Sequence, residues 1–161
     1  MSYDLMVFET TKAPKTKKAF LEWYEKQTKW EEDHDYQSIR VSSPALQSWF
    51  MEMKETFPPM NGEYAPDDEL IDRDENLEIH LTDYCIGREV IYAAFAWSVA
   101  EEAYELMCEL AQKHNVGFFN VSADDGDIIL PDGTKMKSAT EVKYKGSIKG
   151  PEIEEIKWQS Q

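Results

Sequence analysis

The stretch Val90-Ile-Tyr-Ala-Ala-Phe-Ala96, followed at once by Ser98-Val-Ala-Glu101, decides how the chain is to be read. An uncharged, largely apolar run of this length fits a strand buried on both faces, and the Ser-x-x-Glu box behind it predicts the start of a helix. In that helix Ala100, Ala103, Tyr104, Met107 and Ala111 line one face. His114 lies near the negative end of the helix dipole, and Asn115 or Gly117 can end the last turn. Upstream, Ile79 to Ile86 offers a weaker strand joined through Gly87-Arg88. Downstream, Phe118 to Ser122 and Asp127 to Leu130 flank Ala123-Asp-Asp-Gly126 as a hairpin, and Pro131-Asp-Gly133 turns the chain again.

Nearer the start, Tyr3 to Phe8 is a compact apolar run with one charge, at Asp4, and reads as a buried strand. Pro14 can open a helix running to Lys29, in which Phe20, Trp23, Tyr24, Gln27 and Trp30 recur at helical spacing. Ser43-Pro44 caps a second helix carrying Leu46, Trp49, Phe50, Met53 and Phe57 before Pro58-Pro59 stops it. Met60 to Asn76 is rich in Pro, Gly, Asp and Glu and reads as a long surface loop. The order β-α-α-β-β-α-β-β is that of an α+β, ferredoxin-like split βαβ sandwich with an extra helix and an added C-terminal strand or hairpin. The crossover rule then puts the first and third helices on one face of the sheet, with the second helix or the tail covering the other. Residues 1–133 form a single domain on this reading, and 134–161 an extension packed on it. From Thr134 onward, six lysines against four glutamates give +2, and Val142, Tyr144 and Ile148 alternate as in an edge strand.

A chain of 161 residues can bury a core without staples. Cys85 and Cys108 have no ligand or redox spacing, and Asp4 and Glu9 stand where a signal peptide would be basic and then apolar, so a reduced cytoplasmic protein is expected. The net charge of −15 argues against nucleic acid and anionic membrane as partners. That charge is concentrated. Glu31-Glu32-Asp33-His34-Asp35 contributes −4, and Glu63 to Glu78 contributes −7 from eight acids and Arg73. Carboxylates so crowded, in segments without apolar periodicity, must face water, an ion or a cationic partner. The candidate partner-binding residues are therefore Trp30, Glu31, Glu32, Asp33, Asp35 and Tyr36 in the first segment. In the second they are Glu63, Asp67, Asp68, Glu69, Asp72, Asp74 and Glu75. Trp30 and Tyr36 flank the first cluster as aromatics flank charge at interface hot spots. Trp23, Tyr24, Trp49, Phe50 and Phe57, at helical spacing, read as core.

Catalytic and cofactor chemistry has thinner support. His34 among carboxylates suggests a proton shuttle or, with Asp33 and Asp35, a divalent metal site, yet adjacent residues point apart on an extended or helical segment. Asp72, Asp74 and Asn76 open a partial calcium-loop pattern that runs to Asp83, but Leu77 stands where the turn wants glycine. No Gly-x-Ser-x-Gly elbow and no glycine-rich phosphate loop occurs, and no cofactor is expected.

Three segments carry a resemblance: Tyr3-Asp-Leu-Met-Val-Phe8; Trp49-Phe50 leading to Thr56-Phe-Pro-Pro-Met-Asn-Gly62; and Asp83-Tyr-Cys-Ile-Gly87 leading to Tyr92-Ala-Ala-Phe-Ala-Trp-Ser98. With these the chain resembles, over residues 1–133, a family of small uncharacterised bacterial cytoplasmic α+β proteins. The resemblance implies no catalytic residue, and it is compatible with toxin-immunity proteins. The leading expectation is a non-enzymatic acidic interaction protein, an immunity protein for a basic toxin domain being one form of it. The alternatives are a soluble protein whose surface acid has no partner, and a metal-dependent hydrolase using His34 and neighbouring carboxylates.

Overall fold

The computed structural model describes residues 1–136. Five strands form one sheet in which every neighbour is antiparallel: β1 (Tyr3–Phe8), β2 (Asp83–Ile86), β3 (Val90–Phe95), β4 (Gly117–Phe119) and β5 (Ile128–Ile129), in the order β2-β3-β1-β4-β5. The helices are α1 (Lys17–Gln27), α2 (Pro44–Met53), α3 (Asp68–Arg73), α4 (Glu75–His80) and α5 (Ala100–Lys113). The chain is thus α+β with a five-stranded open sheet.

β1 lies in the middle of the sheet and is wet on neither face, so it reads as an unbroken apolar run from Leu5 to Phe8. Leu5 and Val7 join Ile91, Ala93 and Phe95 of β3 beneath α2 and α5. Their cover is Leu46, Trp49, Phe50 and Met53 of α2 with Ala103, Met107, Leu110 and Ala111 of α5. Met6 and Phe8 look the other way, where Phe20, Trp23 and Tyr24 of α1 meet Val90, Phe119 and Ile128. There the Phe8 and Phe20 rings meet at a tilt with centroids 4.8 Å apart, and Phe119 takes Phe20 and Tyr24 edge-on at 5.4 and 5.0 Å. The charge of Asp4 is absorbed at the end of this face. Its Oδ2 accepts from the Tyr92 hydroxyl at 2.5 Å and its N–H donates to Ser122 Oγ at 2.7 Å.

Several expectations are corrected. The first and third helices of the sequence reading do not share a face: α1 covers one side of the sheet by itself, and α2 and α5 pack together on the other. The aromatic face of α1 matches the ring-lined Met6–Phe8 side, and it is α2 that lies over the sheet face α5 occupies. α1 begins after Pro14, because Thr16 supplies the capping oxygen to the Ala19 N–H at 3.3 Å. α2 starts at Pro44 behind the Ser43 cap, as read, but ends at Met53; Phe57 reaches the core from the turn beyond, with its ring 5.1 Å from Phe95. The Ser98 box does not cap α5: Trp97–Val99 winds as a 3-10 turn, and α5 follows without a side-chain cap. Asn115 ends α5 at φ +63, with Val116 N–H returning to the Ala111 carbonyl at 2.9 Å.

Met60 to Asn76 is not irregular throughout. Acids crowd the first turns of α3 (Asp68, Glu69) and α4 (Glu75, Glu78), and Arg73 and His80 fall in the last turns, a distribution that suits both helix dipoles. Ile79, read as strand, belongs to α4. The hairpin after α5 forms with shorter strands than read, Phe119 opposite Ile128. Gly126 fits that turn because a Cβ there would lie 1.8 Å from the Asn120 carbonyl oxygen. The strand signal at Val142, Tyr144 and Ile148, and most of the proposed C-terminal extension, lie outside the described residues.

Two expected outcomes test this packing. A Cβ on Gly117 would sit 2.2 Å from Cζ of Phe8, whose ring covers that glycine across the β1–β4 pair. Gly117→Ala is expected to cost about 1–3 kcal/mol in urea unfolding, and pairing it with Phe8→Leu to return part of the loss. On the other face, Glu52 of α2 accepts from His114 at 2.8 Å and from Lys113 at 3.0 Å, and those bonds, His114 first, hold its carboxyl below the usual carboxylate range. Stability from a depressed carboxyl is present above its unfolded-state value and disappears as pH falls through the folded one. Thermal melts of Glu52→Gln should therefore lie below those of the parent at neutral pH and converge with them in acid.

Candidate partner-binding face

The first acidic segment is stitched to the β2–β3 turn. Along residues 31–36 exposure alternates: Glu31, Asp33 and Asp35 stand out, whereas Glu32, His34 and Tyr36 turn in. The Glu32 carboxylate accepts from the Arg88 backbone N–H at 3.1 Å, with the Arg88 guanidinium at 3.5 Å, and His34 Nε2 approaches it to 2.5 Å. Tyr36 closes the loop, since its hydroxyl accepts from the Glu32 N–H at 2.5 Å and its own N–H donates to His34 Nδ1 at 3.0 Å. These partners fix the imidazole tautomer: Nδ1 accepts, Nε2 donates, and neither nitrogen keeps a lone pair for a metal.

Trp30 and Tyr36, expected as exposed aromatics, are half-buried. Both sit at positive φ, +55 and +63, which costs roughly 1–3 kcal/mol apiece for a bulky residue. Packing offsets that strain: Trp30 meets Tyr36 edge-on at 5.2 Å and Tyr92 at 5.9 Å, and Tyr36 lies against His34 at 4.3 Å. Their rings hold the loop in place.

The second segment is an exposed helical arm. Glu63, Asp67, Asp68, Glu69, Asp72, Asp74, Glu75 and Glu78 are all exposed. Among the described residues Glu63 pairs with Arg40 at 3.0 Å, and the other seven make no salt bridge. Arg73 turns its Nε to the Glu69 backbone carbonyl at 3.3 Å. Asp74 caps α4, its Oδ1 accepting from Asn76 N–H at 3.0 Å and Leu77 N–H at 3.2 Å. That capping role, inside a pair of helices, accounts for the calcium-loop likeness of Asp72, Asp74 and Asn76. The arm is pinned to α5 through His80, which lies between the Asn76 carbonyl and Glu102, each at 2.8 Å, with its ring 5.0 Å from Phe57. The chain just beyond the first acidic segment meets the start of the second at Arg40–Glu63 and at Gly62, where φ is +92 and a Cβ would meet the Gln37 carbonyl oxygen at 2.9 Å.

No family model, curated protein or solved structure matches the chain. Among the described residues no three His, Cys, Asp or Glu side chains converge as a metal site, and no helix is long and apolar enough to cross a membrane. Burial pushes the Cys85 thiol up and the Cys108 thiol to about 11, so neither is a ready thiolate near neutrality. Sequence reading passed over Met60, Ile79 and Trp97, which are exposed apolar side chains beside the arm. They come from three separate segments, and only the fold brings them to one end of the sheet.

Because Glu32 joins the loop to the Gly87–Arg88 turn, Glu32→Ala is expected to cost about 1–3 kcal/mol in chemical denaturation. Glu31→Gln, Asp33→Asn and Asp35→Asn should each stay within about 0.5 kcal/mol.

Proposed function

We propose that the chain is a non-enzymatic interaction protein of the bacterial cytoplasm whose acidic α3–α4 arm takes a basic protein surface. The observation that carries this reading is the row of seven exposed arm carboxylates without a salt bridge among the described residues. A field of one sign raises the local concentration of a cationic partner and selects it by charge, while like-charged surfaces are turned away. The loop at residues 31–35 exposes Glu31, Asp33 and Asp35 as further acid; Glu32 is occupied by Arg88 and His34. An immunity protein that blocks a basic toxin domain is one form of this reading, and the resemblance to small bacterial proteins is compatible with it. The reading also takes the sheet as a ferredoxin-like split βαβ unit, supported by the order β2-β3-β1-β4 and by α2 and α5 sharing a face, with α1 and β5 added to it.

Affinity capture on the immobilised chain, from an extract of the organism that encodes it, tests the reading at low and high salt. A basic protein should be retained at low salt and released as ionic strength rises. The combined variant Asp67→Asn, Asp68→Asn, Glu69→Gln and Asp72→Asn should lose it. Retention of nothing, or of proteins indifferent both to salt and to that variant, leaves the surface acid as a solubility device only.

A further inference from the structure

Where α4 meets the ends of β2 and β3, an open groove of about 350 Å³ is lined by Met60, Leu81, Phe95 and Ala96 and carries Glu78 and Asp83. Met60 in its wall is 49% exposed, and the residues next in the chain to its lining Glu78 and Ala96, Ile79 and Trp97, are 41% and 53% exposed. The Trp97 ring is held against Tyr3 at 5.0 Å, so it offers a fixed flat face at little entropic cost on binding. Glu101 and Glu102 occupy the first turn of α5 just beyond it. An exposed Trp and Met within an acidic surround have the composition of an interface hot spot, not of a solvated surface.

We propose that this groove is the anchoring subsite for the basic partner, receiving one aliphatic side chain of a lysine- or arginine-rich segment whose cations lie over Trp97 and against Glu78 and Asp83. The inference rests on the basic-partner reading and says where affinity, as distinct from steering, arises. Charge complementarity favours a cationic segment over a second copy. A second copy of the chain, at −15, would bring the same acids to the contact. The described chain ends at Met136 beside β5, at the sheet edge opposite β2 and against the α1 side of the core. A cation above Trp97 gains from the ring face, and a buried aliphatic group gains from leaving water.

The test uses the full chain and two synthetic lysine-rich peptides of equal charge, identical except for a central glycine or leucine, followed by NMR shift mapping. The leucine peptide should bind on the order of tenfold more tightly and shift Met60, Ile79 and the Trp97 indole. Met60→Ser, in the groove wall, should shrink that advantage, and Trp97→Ala, which removes the ring beneath a lysine cation, should weaken both peptides. Equal affinities with shifts confined to α3 and none at Met60, Ile79 or Trp97 overturn the subsite and leave the acidic arm standing; failure of both peptides to bind overturns both. Contacts from Trp97 to residues beyond Met136, or concentration-dependent shifts at the groove without peptide, would assign it to the chain's own C-terminal segment or to a second copy, and so overturn a partner subsite.

Discussion

Everything in this structure depends on β1 being buried from both sides. A central strand with no wet face needs an apolar cover above and below, and its residues are divided strictly between two cores: Leu5 and Val7 toward α2 and α5, Met6 and Phe8 toward α1. The Phe8 ring lies over Gly117 so closely that the neighbouring strand cannot carry a side chain there. The cover on that side is one helix whose Phe20, Trp23 and Tyr24 rings meet Phe8 and Phe119 in tilted and edge-on contacts.

Much of this was legible in the residues. The strands at Tyr3–Phe8 and Val90–Phe95, the capped start of α2 and the Asn115 stop of α5 follow from local signals that the tertiary structure does not oppose. What was not legible depended on partners distant in sequence. Which face α1 would take is decided by Phe119, about a hundred residues downstream of it. Ser98 matched a capping box, but the 3-10 turn at Trp97–Val99 moved the helix start past it. The acids from Asp67 to Glu78 masked two short helices by composition, although their placement in first turns was itself a helix signal.

The candidate site divides in the same way. That the acidic segments lie at the surface could be read from charge alone. That Glu32 and His34 turn inward, and that Trp30 and Tyr36 are packed, could not, because their partners Arg88 and Tyr92 belong to the β2–β3 hairpin. The exposed apolar trio is the reverse case. Met60, Ile79 and Trp97 each look unremarkable in their own segment and acquire meaning only when the sheet end assembles them.

The loop stitched by Glu32 and Tyr36 also guards a vulnerable border. β2 is an outermost strand, and such a strand offers unpaired backbone groups to any passing chain. Here the Tyr36 carbonyl accepts from the Ile86 N–H at 2.9 Å, while the Pro58 carbonyl and the Met60 N–H occupy Thr82 at the other end. A foreign strand seeking this border would find backbone bonds at both ends already made, and Glu31, Asp33 and Asp35 projecting beside them. The loop therefore works against edge-to-edge aggregation whether or not a partner is present.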